Sequence, residues 1–386
     1  MMNIPYARQE INEEDIQAVG EILKSDWLTQ GPTIEKFEQA VANYCGVKYA
    51  VAVNSATSAL HIACLAAGLG QGNALWTSPN TFVASANCGL YCGATVDFVD
   101  INSRTYNLDP ACLEAKLLTA AQTGKLPKIV IPVHFAGQSC EMAKIGTLAN
   151  EYGFTVIEDA SHAIGGTYRN TPVGSCQYSD MAVFSFHPVK IITTAEGGIV
   201  VTNRKDLYDK LILYRSHGIT RKPELMTEES HGPWYYQMLE LGFNYRMSDL
   251  QAALGVSQMA RLDEFITKRH LLAERYRQEL KDLPLILPWQ QQDTYSAYHL
   301  YVIRLPEKTA HTHKQVFVDL RARGIGVNIH YIPVHLQPYY QHLGFKKGDF
   351  PNAESYYKTA ISIPMYSALT VEDQSYVISS LKEVLK

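Results

Sequence analysis

Asp159 and Lys190 are the two side chains of this sequence best placed to work as a pair. Asp159 closes the apolar run Val156-Ile157-Glu158-Asp159, and Lys190 ends Phe184-Ser185-Phe186-His187-Pro188-Val189-Lys190, just beyond the next apolar run. A carboxylate that closes a strand of a parallel sheet stands where such sheets present ligands, outside the carboxyl ends of the strands. A lysine amine can add to an aldehyde and then serve as a base, while a carboxylate can keep a ring nitrogen protonated. Pyridoxal 5'-phosphate requires that division of labour, and the positive ring would in turn keep the aspartate ionised. Taken singly, Asp159 reads equally well as the N-cap of the following turn and Lys190 as a surface charge. The Glu196-Gly197-Gly198 run after the lysine and a nearby anion site favour the pair.

The anion site is Asn54-Ser55-Ala56-Thr57-Ser58-Ala59-Leu60, which reads as a strand-to-helix junction with Ser55 as N-cap. The open amides of a first helical turn, here those of Ala56 and Thr57, together with nearby hydroxyls, suit a phosphate. As structure only, this is a well-capped helix. Ser185 could add a further hydroxyl to the same phosphate. Phe82 offers an aromatic face for a pyridine ring, although a phenylalanine after a strand is also ordinary core.

These residues need a frame. Seven short β-rich runs, at 49–54, 74–78, 96–99, 128–133, 155–159, 181–185 and 198–202, alternate with helical patterns such as 57–67, which Gly68 closes. That alternation predicts an α/β fold with a largely parallel seven-stranded sheet, and nearly all-apolar strands are those covered on both faces. After Met247 the rhythm changes to a long amphipathic segment at 248–283 and a Pro- and Gln-rich loop at 284–293. Strands are then expected at 298–305 and 327–331 and helices at 314–323 and 371–385. At 386 residues the chain exceeds what one core usually holds. Two domains follow, a large cofactor-binding domain at 1–247 and a smaller α+β domain at 248–386.

A net charge of −4 gives no basic field for nucleic acid or an anionic membrane. No apolar run reaches the roughly 20 residues of a membrane span, and residues 1–6 lack the features of a secretion signal, so a cytoplasmic location is expected. The seven cysteines include no CxxC pair, which argues against a disulfide framework or a structural zinc site. Cys88 and Cys92, and likewise His311 and His313, read as ordinary helix residues, so no metal is expected.

Taken jointly, the motifs resemble the fold-type-I pyridoxal-phosphate enzymes, and specifically the sugar-nucleotide aminotransferase family. The resemblance spans essentially the whole chain. It rests on Trp27-Leu28-Thr29-Gln30-Gly31-Pro32, the Ser55–Leu60 turn, Glu158-Asp159 with His162, Ser185 with Lys190, Gly242-Phe243-Asn244-Tyr245-Arg246-Met247, and His330-Tyr331-Ile332-Pro333-Val334-His335. It implies that Lys190 bonds the cofactor, Asp159 pairs with its ring nitrogen, His162 lies near its 3-hydroxyl, and Thr57 and Ser185 hold its phosphate. Asn244 is expected to reach the phosphate from the neighbouring subunit of a homodimer with shared active sites.

The family's reaction implies L-glutamate as amino donor and a UDP-linked 4-keto sugar as acceptor. Tyr6 after Ile4-Pro5, the run 80–89, Ser216-His217-Gly218-Ile219-Thr220 and His335-Leu336-Gln337-Pro338-Tyr339 resemble the branch that aminates C4 on the route to pseudaminic acid. Substrate contacts are expected from Tyr6, Trp27, Thr29, Arg215, Arg246, Tyr331 and His335. Arg246 reads equally as an interface ion pair. Related 3-dehydratases carry histidine in place of the lysine, so Lys190 argues against that chemistry. A regulatory protein with the same fold would show decay of the cofactor site, and Asp159, Ser185 and Lys190 all stand. An aminotransferase acting at C3, or on another UDP- or dTDP-keto sugar, would carry the same catalytic set.

Overall fold

The computed structural model describes residues 3–306 and 312–385. Its main sheet contains strands β1 (Tyr49–Val53), β2 (Ala74–Thr77), β3 (Thr95–Phe98), β4 (Ile129–Ile131), β5 (Thr155–Asp159), β6 (Met181–Ser185) and β7 (Gly198–Thr202). They lie in the order β1-β7-β6-β5-β4-β2-β3, and β7 alone runs against its neighbours. Alternation along the strands divides the apolar residues between two layers. In β1, Val51 and Val53 join the core beneath one set of helices, while Ala50 and Ala52 join the core on the opposite face.

The register brings the functional segments to one edge. Asp159 of β5 pairs with Val183 of β6, and Gly198 at the start of β7 pairs with both Ser185 and Val53, the last residues of β6 and β1. Lys190 lies in the loop that joins two adjacent antiparallel strands, β6 and β7, directly above that edge.

Helices α1 (Glu13–Leu23) and α2 (Pro32–Cys45) precede the sheet, and α3 (Ala56–Ala66) and α4 (Ala84–Tyr91) leave its ligand edge. Helices α5 (Pro110–Thr123), α6 (Met142–Tyr152) and α7 (Lys205–Arg215) complete the covering layers. The long amphipathic segment expected at 248–283 forms two helices, α8 (Asp249–Met259) and α9 (Leu262–Leu280), with a break at Ala260-Arg261. The residues on both sides of the break share one core, and the second core takes over only later in α9. Ala252 of α8 and Leu262, Phe265 and Ile266 of α9 bury with the sheet core, while Ala273, Tyr276 and Leu280 bury with Ile4 in the second core. The change of packing therefore falls within α9 and not directly after Met247.

The smaller C-terminal unit pairs β8 (Tyr301–Arg304) with β9 (Ala360–Ile363) beside α10 (His313–Ala322) and α11 (Val371–Val384). The strand expected at 327–331 is reduced to one bridge, Asn328 to Ser362. Beyond it the chain leaves the sheet, and the Tyr331 amide donates to the Asn80 side chain, 3.3 Å away, in place of a strand partner. His311 lies outside the described residues; His313 donates to the Ala360 carbonyl at 2.9 Å. Among the described residues no His, Cys, Asp or Glu cluster could hold a metal ion, and no helix is long and apolar enough to cross a membrane.

Candidate active site

A cavity of about 890 Å³ opens at the sheet edge, lined by Asp159, Ser185 and Lys190 together with Ser55, Ala56, Thr57 and Phe82. Asp159 is fixed from two sides. Ser85, on the first turn of α4, donates to its Oδ2 at 2.6 Å, and the Ser161 amide donates to its Oδ1 at 3.1 Å. Behind Ser85 stands Thr81, with the two hydroxyls 2.7 Å apart. A carboxylate that accepts two hydrogen bonds and still lines the cavity is positioned to receive one more from a ligand N–H. Burial lowers the pKa of the Lys190 amine to about 8, against the opposing pull of Asp159. A lysine so depressed exists partly as the free amine near neutrality, the form that adds to a carbonyl.

The phosphate end is the N-terminus of α3. Ser55 caps it by accepting from the Ser58 amide at 3.1 Å, and the Ser58 hydroxyl donates to Asn54 Oδ1 at 2.7 Å. The first-turn amides of Ala56 and Thr57 have no acceptor within the helix and line the cavity. Gly198 explains part of the Gly-Gly pair, because a Cβ there would stand 2.5 Å from the Ala56 amide nitrogen. Only glycine lets β7 pass so close beneath the helix start. Gly197 is equally confined, by the Thr194 side chain and Met247. Open amides, hydroxyls, a fixed carboxylate and a lysine of lowered pKa fit pyridoxal phosphate at both its charged ends and at its aldehyde.

The opposite wall carries Tyr6, His162, His299, Asn328, His330 and Tyr331. Both His162 nitrogens have protein partners, since Nδ1 accepts from the Ala136 amide at 3.3 Å and Nε2 lies 3.1 Å from the Tyr331 hydroxyl. The His299 ring lies against that of His162, with centroids 4.4 Å apart. Burial, reinforced by the Lys190 charge, pushes His330 down to about 3 and holds His162 well below the usual histidine range. This wall is therefore uncharged.

Several expected contacts lie elsewhere. Trp27 and Thr29 are exposed in the turn before α2, outside the cavity lining. Arg215 turns inward, its guanidinium 2.5 Å from Glu38 and 3.0 Å from the Ala52 carbonyl, so its charge is spent on structure. His335 is fully buried, 3.1 Å from Glu354 and edge-on to Phe350. Its place is in packing, because no face of it reaches the cavity. Asn244 is exposed, and Arg246 pairs through its backbone with Val53 at the end of β1. Both run beside the phosphate turn without lining this chain's own cavity.

Sequence reading missed Ser85, Thr81, His299, Asn328 and His330. The Thr81-Ser85 spacing, one helical turn, was the one local signal. His299 sits in an apolar run and reads as a core histidine.

Residues 9–382 match the DegT/DnrJ/EryC1/StrS aminotransferase family. The chain is 41% identical to the spore coat polysaccharide biosynthesis protein SpsC of Bacillus subtilis, over 99% of this chain and 97% of that protein. It is 38% identical to the UDP-4-amino-4,6-dideoxy-N-acetyl-beta-L-altrosamine transaminase of Campylobacter jejuni, over 99% and 98% of the two chains. Among solved structures, Helicobacter pylori PseC, an aminotransferase of pseudoaminic acid biosynthesis, superposes with a TM-score of 0.90 at 33% identity over 100% of this chain and 99% of that one. Spr1654 from Streptococcus pneumoniae in its PLP form gives a TM-score of 0.89 at 27% identity, over 99% and 98% of the two chains. The chain thus belongs to the DegT/DnrJ/EryC1/StrS family and is a pyridoxal-phosphate-dependent sugar aminotransferase.

Proposed function

We propose that this enzyme moves the amino group of L-glutamate to C4 of a UDP-linked 4-keto-6-deoxy-N-acetylhexosamine, giving UDP-4-amino-4,6-dideoxy-N-acetyl-β-L-altrosamine. The observation that carries the acceptor class is the cavity wall. Among the described residues its lining contains no arginine, and Lys190 is its one lysine. A wall of neutral histidines, tyrosines and Asn328 suits the hydroxyls and keto oxygen of a sugar and offers no permanent clamp for an acidic acceptor. The likeness to the Campylobacter jejuni transaminase over almost the full length supports the particular sugar. The higher identity to SpsC favours, as a second reading, another keto sugar destined for a polysaccharide.

Pyridoxal phosphate, when bound, supplies an aldehyde for amines and a ring that draws electron density from the breaking C–H bond. The chain's own residues do the rest. Asp159, held by Ser85 and Ser161, would pair with the ring N–H, while Ala56, Thr57 and Ser185 would hold the phosphate. Lys190 Nζ would serve as the base that removes the proton from glutamate Cα and, in the second half-reaction, as the acid that delivers a proton to sugar C4. One lysine would thus serve both substrates, since Lys190 is the one lysine lining the cavity among the described residues. In a homodimer, Asn244 and Arg246 would meet phosphate and glutamate in the partner's cavity, and their placement beside the phosphate turn supports this reading.

Incubation of purified protein with L-glutamate and a panel of UDP- and dTDP-linked keto sugars, with product identification by mass and NMR, tests the assignment. The expected product is the 4-amino altro sugar. Amination of a different keto sugar would replace this acceptor, and no turnover of any keto sugar would refute the reading.

A further inference from the structure

His162 and Tyr331 form a directional pair. The Ala136 amide points at His162 Nδ1 from the short turn 135–137, where Ala136 is held at φ 58°. A neutral histidine that accepts at Nδ1 carries its hydrogen on Nε2. The ring is neutral, since burial and then Lys190 and His330 all disfavour its charged form. Nε2–H therefore donates across 3.1 Å to the Tyr331 oxygen. A hydroxyl that accepts from its neighbour must send its own hydrogen elsewhere, and among the described residues the Tyr331 hydroxyl has no other hydrogen-bond partner. Tyr331 lines the cavity shared with Lys190 and Asp159. Its ring is steadied by Phe82 and Phe135, each with centroids 6.3 Å away.

We infer that Tyr331, oriented by His162, is the residue that donates a hydrogen bond to the phenolic 3-oxygen of the bound cofactor, with His162 acting only as its positioning residue. The inference rests on the pyridoxal-phosphate reading. His162 has no nitrogen left for that oxygen, whereas Tyr331 has a hydrogen to give. Burial, with the Asp159 charge and Tyr6 adding to it, keeps the Tyr331 hydroxyl protonated. The titratable groups facing the pair are Lys190, Asp159, His299, His330, Tyr6 and Tyr356.

A donor at the 3-oxygen draws charge away from it, so the neighbouring nitrogen shared by Lys190 and the cofactor gives up its proton at lower pH. The test is the pH midpoint of the visible band of the cofactor-loaded protein, read without substrate. Tyr331→Phe is expected to raise the midpoint by about one pH unit, the scale of one hydrogen bond to an anion. His162→Ala is expected to raise it in the same direction, and His162→Gln, which keeps a side-chain donor for Tyr331, to restore it toward the parent value. Midpoints unchanged in both Tyr331→Phe and His162→Ala would overturn the inference. A parent protein that develops no visible band with added cofactor would instead overturn the cofactor reading, and this inference with it.

Discussion

Ser85 and Asp159, 74 residues apart in sequence, meet at 2.6 Å, so that a hydroxyl on the first turn of α4 fixes the carboxylate at the end of β5. The contact joins the helix layer to the sheet edge at a carboxylate that lines the cavity. Ser85→Ala removes a hydrogen bond to a charged group, an interaction of about 1.5–3 kcal/mol. The expected outcome is a fall in kcat of about tenfold or more with the fold intact, checked by steady-state kinetics beside circular dichroism.

Gly198 tests the phosphate cradle. In Gly198→Ala the new Cβ meets the backbone of Ser55 and Ala56 at 2.5 Å and the helix start must shift. Cofactor affinity should weaken by about tenfold, with a stability loss of about 1–3 kcal/mol. Equilibrium dialysis with pyridoxal phosphate and thermal unfolding measure the two effects.

The rate at which cofactor-free protein takes up pyridoxal phosphate should rise with pH. The Lys190 amine, lowered to about 8 by burial, is the reacting form only when unprotonated. About a tenth of it is free at pH 7 and about half at pH 8. Stopped-flow absorbance across this range should show the rise levelling above the midpoint, and an uptake rate that falls with rising pH would contradict the assignment.

Arg215→Ala separates a structural arginine from a substrate-binding one. Its pair with Glu38 is largely buried, with side chains 16% and 15% exposed. Loss of one partner leaves a carboxylate without its cation and should cost about 2 kcal/mol, less than a fully buried pair because water still reaches it. Thermal unfolding should move down by several degrees while the KM for the nucleotide sugar stays unchanged.

Much of the frame was legible because its signals are local. Strands 155–159, 181–185 and 198–202 have the bounds their apolar runs suggest, and placing Asp159 at a strand end and Lys190 in the following loop put both on one edge. What escaped reading depends on partners far along the chain. Ser85 gains its role from Asp159, and Arg215 and His335 are drawn inward by Glu38 and Glu354, which no local pattern reveals. The segment 327–331 has the residue types of a strand, but Asn80, from another part of the fold, takes its amide.

Lys190 is expected to be the residue that bonds the cofactor. Borohydride reduction of the pyridoxal-phosphate-loaded protein, followed by peptide mapping, tests it most directly, because reduction makes the lysine–cofactor bond permanent. The pyridoxyl phosphate mass is predicted on the peptide containing Lys190 and on no other. Its appearance on a different lysine, or its absence from every peptide, would contradict the account.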